Sequence, residues 1–172
     1  MINYFTISDT HFGHDNVIKY SNRPFKDVEE MNERLVELWN KVVSNDDYVI
    51  FLGDFALGQK ENIYKYGSRL NGHKIIVLGN HDRRKDFYLE AGFEQVVKRF
   101  DMPAEQTGLN YDIIFTHHPY LGIQSNERNI HGHIHDKKLD NSFDTSKYFN
   151  ASVENIGYTP IRIEQIIKTM GW

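Results

Sequence analysis

The chain has 172 residues, 40% of them hydrophobic and 26% charged, which is enough for one globular domain with a substantial core. Its formal net charge is -4 and no basic stripe is evident, so it lacks the signal of a non-specific nucleic-acid binder. It has 0 cysteines, which excludes disulfides and thiolate metal sites, and its apolar runs are too short to cross a membrane. The first residues carry no basic segment or signal-peptide cleavage site, so we expect a cytoplasmic protein.

The first predicted elements are a strand, a loop and a long helix. An apolar strand over Tyr4 to Ile7 is followed by a polar loop that runs to Phe25. Asp27 and Glu30 have the spacing of a capping box, which predicts that a helix begins there. The helix has one apolar stripe, which we expect to face the core and which consists of Val28, Met31, Leu35, Leu38 and Val42.

The remaining elements alternate between strands and helices. Strands are predicted over 48–52, 74–78, 95–100 and 111–115, with shorter ones near 149–153 and 160–163. Helices are predicted over 61–70, 84–91 and 164–170. The early strand–helix alternation predicts an α/β fold with a mixed, largely parallel inner sheet flanked by helices. The second half is rich in strands, which favours more sheet, with antiparallel pairing as an option.

Side chains that can bind a metal ion follow the predicted strands at the points where the strands end. The residues that stand after four different apolar runs are Asp9, Asp54, Asn80 and His117. Because ligands of open α/β sheets bind at the carboxyl ends of the strands, these four side chains can converge on one site. Nitrogen and oxygen donors without sulfur suit Mn²⁺, Fe or Zn²⁺.

Most of these motifs also have an ordinary structural explanation when taken alone. Asp9 and His11 form an Asp-x-His pair, which in an extended chain points to one side, but a capping Asp beside a surface His is the alternative. Asp54 follows a glycine and can be a simple turn residue, although its two oxygens can bridge two cations. His133 and His135 form a Gly-His-x-His motif, for which a coincidental histidine-rich turn is the alternative.

The Gly-Asn-His-Asp segment over 79–82 is the most specific of the motifs. Asn80 offers an amide oxygen to a metal, and His81 can act as an acid or stabilise charge. Asp82 can orient the His81 imidazole, as carboxylates commonly do. An Asx turn followed by a capped helix is the structural alternative.

Two adjacent histidines, His117 and His118, follow the predicted strand over 111–115. Because side chains alternate along a strand, we expect only one of them to face the site. His117 is the better candidate because it lies closer to the strand end. His118 is expected to be structural or to lie behind the ligands.

Taken together and in this order, the motifs resemble the complete series of the calcineurin-like metallophosphoesterases. The match runs from Asp9 to His135 and suits the short bacterial and phage members of that family, which have no cap domain. The resemblance implies a single metallophosphoesterase domain over residues 1–172. It also implies a four-layer αββα sandwich with a two-metal site at one edge.

The resemblance assigns a role to each motif residue. One metal ion would have three ligands, which are Asp9, His11 and His135. The ligands of the other ion would be Asn80, His117 and His133. Asp54 would bridge the two ions, and His81 would lie beside the substrate phosphate with Asp82 behind it. Both sites would hold divalent metal ions, with Mn²⁺ as the first expectation and Fe or Zn²⁺ next.

The implied activity is hydrolysis of a phosphate ester by a metal-bound hydroxide, with His81 as the acid or the charge stabiliser. We expect a small phosphate-ester or nucleotide-like substrate. A phosphodiester is the first choice. So short a chain leaves no room for a large cap, and the resulting open site tolerates a diester but does not demand one. A phosphomonoesterase with the same centre is the alternative. A non-catalytic scaffold of this fold is the third reading, but it would normally have broken ligand motifs.

The loop after the first motif holds two candidate substrate-binding residues, His14 and Arg23. Arg23 can form a forked contact with a phosphate, and His14 can touch a leaving group. A solvated loop that packs through Pro24 is an equal alternative. Arg83 and Arg84 follow the Asn-His-Asp motif and are further candidates, although surface positions on a helix are favoured for them.

Overall fold

The computed structural model describes residues 3–57, 60–82 and 84–172. The strands are β1 (Tyr4–Ile7), β2 (Tyr48–Phe51), β3 (His73–Val77), β4 (Phe93–Val97), β5 (Phe100–Met102), β6 (Asp112–Phe115), β7 (Glu127–His131), β8 (Tyr148–Asn150) and β9 (Ile161–Arg162). The α-helices are α1 (Asp15–Tyr20), α2 (Val28–Val42), α3 (Lys60–Gly67), α4 (Lys85–Glu90), α5 (Ala104–Thr107) and α6 (Ile163–Met170). In these ranges no helix combines the length and apolarity that a membrane span requires.

The strands form two sheets. The first has five strands in the order β4-β3-β2-β1-β9, and the second has four in the order β5-β6-β7-β8. Strands β1 to β4 pair in parallel, whereas β9 runs antiparallel to β1 at the edge. In the second sheet β6, β7 and β8 are parallel and β5 is antiparallel. The predicted α/β sandwich with a mixed, largely parallel sheet is therefore confirmed.

Two hydrophobic clusters lie on the two faces of the first sheet. One cluster joins this sheet to helices α1 to α4, and it contains Phe51 and Trp39. The other joins both sheets to α6, and it contains Ile50, Leu52 and Ile166. Side-chain alternation along β2 explains this division, since Phe51 points to one cluster and its two neighbours to the other. Strand β2 is thus buried on both faces, which accounts for its unbroken apolar sequence.

Helix α2 begins at the predicted cap. The Glu30 amide donates a hydrogen bond to Asp27 Oδ1 at 2.8 Å, and the Glu30 carboxylate accepts one from the Lys26 amide at 2.7 Å. The two reciprocal bonds of a capping box are therefore present, although the second is donated by the Lys26 amide and not by the amide of the cap residue Asp27.

The apolar stripe that was expected to face the core is partly wrong. Trp39 is only 1% exposed, whereas Val42, the last residue of the helix, is 36% exposed.

The predicted elements differ from the structure in several places, one of which is the unpredicted short helix α5. The loop after the first strand contains the short helix α1, and β7 was missed because its first residues are polar. The strand predicted over 95–100 is two strands. Strand β4 ends at Val97 and β5 begins at Phe100, and they belong to different sheets. The exposed pair Lys98 and Arg99 lies where the chain crosses between the sheets.

Asp47 connects the start of β1 to the turn before β2. Its Oδ1 accepts hydrogen bonds from the Asn3 amide at 3.1 Å and from Asn3 Nδ2 at 2.8 Å. Its Oδ2 accepts from the Ser44 amide at 2.9 Å and from Ser44 Oγ at 2.7 Å. Burial acts to raise the pKa of Asp47, but these hydrogen bonds outweigh it and hold the pKa well below its usual value.

The Asp47 carboxylate should stabilise the fold in a pH-dependent way. Asp47→Asn replaces the charged acceptor, so we expect the free energy of unfolding at pH 7 to fall by about 1–3 kcal/mol. A lowered carboxyl pKa gives stability above the unfolded-state pKa of about 4, and this stability is lost as the pH falls towards the folded-state pKa. The difference in the free energy of unfolding between variant and wild type should therefore be smaller at pH 3 than at pH 7.

Urea unfolding at pH 7 and pH 3 measures this difference. Asp46→Asn, at the exposed neighbouring position, is the matched control and should behave like wild type at both pH values. An equal loss of stability for Asp47→Asn at the two pH values would contradict a role for the charge.

Candidate metal centre

The candidate ligands lie in the loops that follow the strands at one edge of the sandwich. Five of these residues have a left-handed backbone, with φ of 59° at Asp9, 51° at His11, 56° at Asp54, 70° at His133 and 52° at His135. This conformation is unfavourable for side chains other than glycine, and it persists where the surrounding structure enforces it. The Asp9-x-His11 segment is therefore not extended, although the two side chains still converge.

Asp9, His11 and His135 form one group. Each contributes a potential ligand atom, and these atoms lie within 4.8 Å of one another. Asp9 Oδ2 accepts hydrogen bonds from the His133 amide and from Ser152 Oγ, both at 2.9 Å. Asp9 Oδ1 is buried and has no hydrogen-bond partner among the described residues. A bare buried carboxylate oxygen is costly, so this atom fits a cation that would complete its contacts.

Asn80, His117 and His133 form a second group. His117 Nε2 lies 2.9 Å from Asn80 Oδ1 and 3.2 Å from His133 Nδ1. His117 Nδ1 lies 2.7 Å from the Leu52 carbonyl oxygen, which can accept its proton. This contact leaves Nε2 directed at the centre, the arrangement typical of a metal-binding imidazole.

Asp54 lies between the two groups. Its Oδ2 is 3.7 Å from His11 Nε2 in the first group and 3.5 Å from His117 Nε2 in the second. Its Oδ1 accepts a hydrogen bond from the His81 amide at 2.9 Å. Burial acts to raise the pKa of Asp54, but His117 and the His81 amide outweigh it, so the pKa falls to about 2. Asp54 is therefore an ionised carboxylate within reach of both groups.

Two histidines of the centre have lowered pKa values. Burial lowers the pKa of His11 to about 3, and Asp54 offsets this only in part. Burial, with a smaller electrostatic contribution from the neighbouring imidazoles of His118 and His117, lowers the pKa of His133 to about 4. Neutral imidazoles have a free lone pair, which is the form that binds a metal ion.

The position expected for His118 is wrong. Its ring centroid lies 3.8 Å from that of His133 and 5.0 Å from that of His117. Strand β6 ends at Phe115, so the alternation of an extended strand no longer applies to the two histidines. His118 therefore lies at the rim of the second group, with one nitrogen close to the ligand atoms of His117 and His133.

His81 lies at the mouth of the centre. Its side chain is 47% exposed, and its Nε2 lies 4.0 Å from Asp54 Oδ2. Its ring centroid is 5.6 Å from that of His11. The His81 imidazole is thus open to solvent and close to both candidate ligand groups.

The expected contact between Asp82 and the His81 ring is wrong. Asp82 Oδ2 accepts hydrogen bonds from the Asp54 amide at 2.7 Å and the Gly79 amide at 2.8 Å. Its Oδ1 accepts from the Phe55 amide at 3.2 Å and from the Tyr88 hydroxyl. Asp82 is buried beneath these loops, so it fixes the backbone that carries Asp54 and Asn80.

The expected phosphate contact of Arg23 is also wrong. The Arg23 guanidinium is fully buried and donates to the carbonyl oxygens of Asp9 at 2.7 Å and Thr10 at 2.9 Å. It also donates to Glu154 Oε1 from Nε at 2.9 Å and from Nη2 at 2.7 Å. These contacts hold the first ligand loop in place and leave Arg23 unable to reach a substrate.

The other two substrate candidates have different positions. His14 lies on the wall of the cavity that contains the centre, with its ring centroid 5.5 Å from that of His11. Its contact with a leaving group stays a prediction. Arg84 is exposed and lines a neighbouring cleft that His81 also borders, and Arg83 lies outside the described residues.

Glu154 is a site residue that the motif search missed. Its Oε1 lies 2.9 Å from His135 Nδ1, so His135 Nε2 is the nitrogen left for the centre. The carboxylate also binds Arg23, and together they form a buried chain from His135 to the backbone of Asp9. The signal was present in the sequence, because Glu154 directly follows the strand predicted near 149–153.

Two sheets of mainly parallel strands, with His and Asp groups at the strand ends, define a metallophosphoesterase-type α/β sandwich with a candidate site for divalent metal ions. The chain belongs to the calcineurin-like phosphoesterase family, whose model matches residues 3–164. The resemblance seen in the motifs is therefore confirmed. The family implies divalent metal ions and small phosphate-ester substrates.

Similar proteins come from archaea, phages and bacteria. The chain is 37% identical over 171 residues to the uncharacterized protein MJ1445 of Methanocaldococcus jannaschii, covering 95% of this chain and 89% of that protein. It is 32% identical to the Gene 66 protein of Mycobacterium phage L5, covering 78% of each.

Two solved structures share the fold. A protein of unknown function from Aquifex aeolicus, AQ665, has a TM-score of 0.77 and 26% identity, covering 98% of this chain and 100% of that chain. A structure described as a novel archaeal phosphodiesterase has a TM-score of 0.52 and 19% identity, covering 87% and 82% of the two chains.

The Glu154 carboxylate should set the metal affinity of the centre through His135. Glu154→Gln keeps the shape but weakens the acceptor for His135 Nδ1, so we expect affinity for a divalent ion to fall about 10- to 100-fold. Isothermal titration calorimetry, with Mn²⁺ added to metal-free protein, measures this change. The exposed Glu164→Gln on α6 is the control, and wild-type affinity in Glu154→Gln would contradict the assigned role.

Proposed function

We propose that this chain is a dinuclear metal-dependent phosphoesterase that favours phosphodiesters. The observation that carries the proposal is the position of Asp54 Oδ2, within 3.7 Å of a histidine nitrogen from each of two ligand groups. A carboxylate between two sets of nitrogen and oxygen donors is suited to bridging two cations. Membership of the phosphoesterase family supports the reaction class.

In this proposal Asp54 would be shared by the two ions, and each ion would have a separate set of other ligands. One set is Asp9, His11 and His135. The other set is Asn80, His117 and His133. The donor chemistry favours Mn²⁺, with Fe or Zn²⁺ next. When bound, a pair of divalent cations supplies an activated water as nucleophile and neutralises charge on the phosphoryl oxygens.

His81 is the proposed catalytic residue. Its amide is tied to Asp54 Oδ1 at 2.9 Å, while its exposed ring faces the mouth of the centre. A substrate phosphate held beside Asp54 would therefore lie within reach of the imidazole. His81 can donate a proton to the leaving ester oxygen or stabilise the negative charge that develops there.

Openness of the site favours a diester over a monoester. The cavity at the centre is bordered by side chains of α1 and of the loop after His135, and its outer wall includes the exposed residues Tyr20 and Lys137. A second ester group therefore has room beside the phosphate. An archaeal protein of the same fold is described as a phosphodiesterase, which makes diesters the first substrates to test.

Replacement of His81 separates catalysis from metal binding. We expect His81→Gln to lower kcat about 100-fold or more on an ester with a poor leaving group, while metal content stays at the wild-type level. His73→Gln, at the opposite end of β3, is the matched control and should keep full activity. Loss of bound metal in His81→Gln would contradict the proposed division of roles.

The substrate class is tested with a metal-reconstituted sample. Hydrolysis of bis-p-nitrophenyl phosphate should exceed that of p-nitrophenyl phosphate, and a chelator should abolish both activities until Mn²⁺ is restored. A clear preference for the monoester would replace the first proposal with a phosphomonoesterase. No hydrolysis of either ester by fully loaded protein would favour a non-catalytic scaffold.

A further inference from the structure

Two clefts meet at His81. One has a volume of about 330 Å³, contains the candidate metal centre and reaches Tyr20 and Lys137 on its outer wall. The other has a volume of about 380 Å³ and is lined by side chains that include Leu57 and Phe87. His81 borders both clefts, so the reacting phosphate of the proposed function would lie where they join.

The wall of the first cleft carries an unusually exposed aromatic ring. The Tyr20 side chain, at the end of α1, is 79% exposed, and its ring meets that of His14 edge-on with the centroids 6.4 Å apart. A tyrosine this exposed contributes little to the core, and its free face is available to another planar ring. Lys137 lines the same cleft and supplies a positive charge for a phosphate or its ester oxygens.

The second cleft is apolar at its base and has an arginine that is paired with a carboxylate at its rim. Phe87 packs against the core, and the Arg84 guanidinium lies 4.7 Å from its ring centroid. Arg84 is exposed and forms an ion pair with Asp86 at 2.7 Å. This cleft can hold the ester substituent that does not occupy the first cleft.

We infer that the substrate is a phosphodiester that carries a nucleoside-like group. Its planar base would stack on Tyr20, and its second ester group would lie in the second cleft, beside Phe87. This inference rests on the proposed function and specifies its substrate. A monoester fills only one of the two clefts, whereas a diester has a substituent for each. Any base can stack on an aromatic side chain, so the site is expected to select a planar ring and not one particular base.

The contribution of Tyr20 is measured with two diesters that have the same leaving group. These are the p-nitrophenyl ester of thymidine 5′-monophosphate and ethyl p-nitrophenyl phosphate. Wild-type protein should prefer the thymidine ester in kcat/KM. Tyr20→Ala should reduce that preference about 5- to 100-fold, mainly through KM, because a stacking platform is lost. Tyr20→Phe retains the ring and should retain most of the preference.

Tyr64→Ala is the matched control, since Tyr64 is 55% exposed on α3 and lines neither cleft among the described residues. It should keep the wild-type preference. A wild-type enzyme without preference for the thymidine ester, or an unchanged preference in Tyr20→Ala, would overturn the inference while the proposed function stands. Failure of fully metal-loaded wild-type protein to hydrolyse either diester would overturn both.

Discussion

The Asp54 carboxylate lies between the two histidine groups, and the surrounding loops are built to keep it there. One oxygen accepts the His81 amide, and the other faces His11 and His117 at 3.7 and 3.5 Å. The Asp54 amide is in turn held by Asp82. A side chain at Gly79 would collide with Asp54 Oδ1 and with the Asp54 amide, so glycine is required where the two loops touch. The proposed metal bridge and the contact between the two loops therefore both depend on this carboxylate.

Buried polar side chains outside the motifs support this arrangement. Asp82 connects the loops after β2 and β3, and the pair formed by Arg23 and Glu154 connects His135 to the first ligand loop. Five of the candidate ligand residues have strained left-handed backbones, and these hydrogen bonds offset that strain. Gly132 adds a steric requirement, since a side chain there would collide with Ser8 Oγ and Asp9 Oδ2. These contacts position the side chains of the candidate site independently of any substrate.

The sequence predicted the α/β fold and the convergence of the motif residues because both depend on local patterns. Apolar runs such as 48–52 identify parallel strands, and parallel strands bring their carboxyl ends to one edge. The hydrogen bonds that Arg23 and Asp82 form with the loop backbone could not be predicted from local patterns. Arg23 and Asp82 find their partners far along the chain, so burial alone decides that they serve the backbone rather than the substrate or His81. His118 was misplaced because the strand rule was extended past the end of β6.

The number of metal ions bound per chain decides whether two cations share Asp54. Metal-free protein would be titrated with Mn²⁺ while electron paramagnetic resonance follows the bound ions. Two Mn²⁺ should bind per chain and give a spin-coupled signal, because ions that share a carboxylate lie about 3.5–4 Å apart. Asp54→Asn should remove the coupling. Saturation at one Mn²⁺ per chain, or two ions without coupling in the wild-type protein, would rule out a carboxylate shared by two cations.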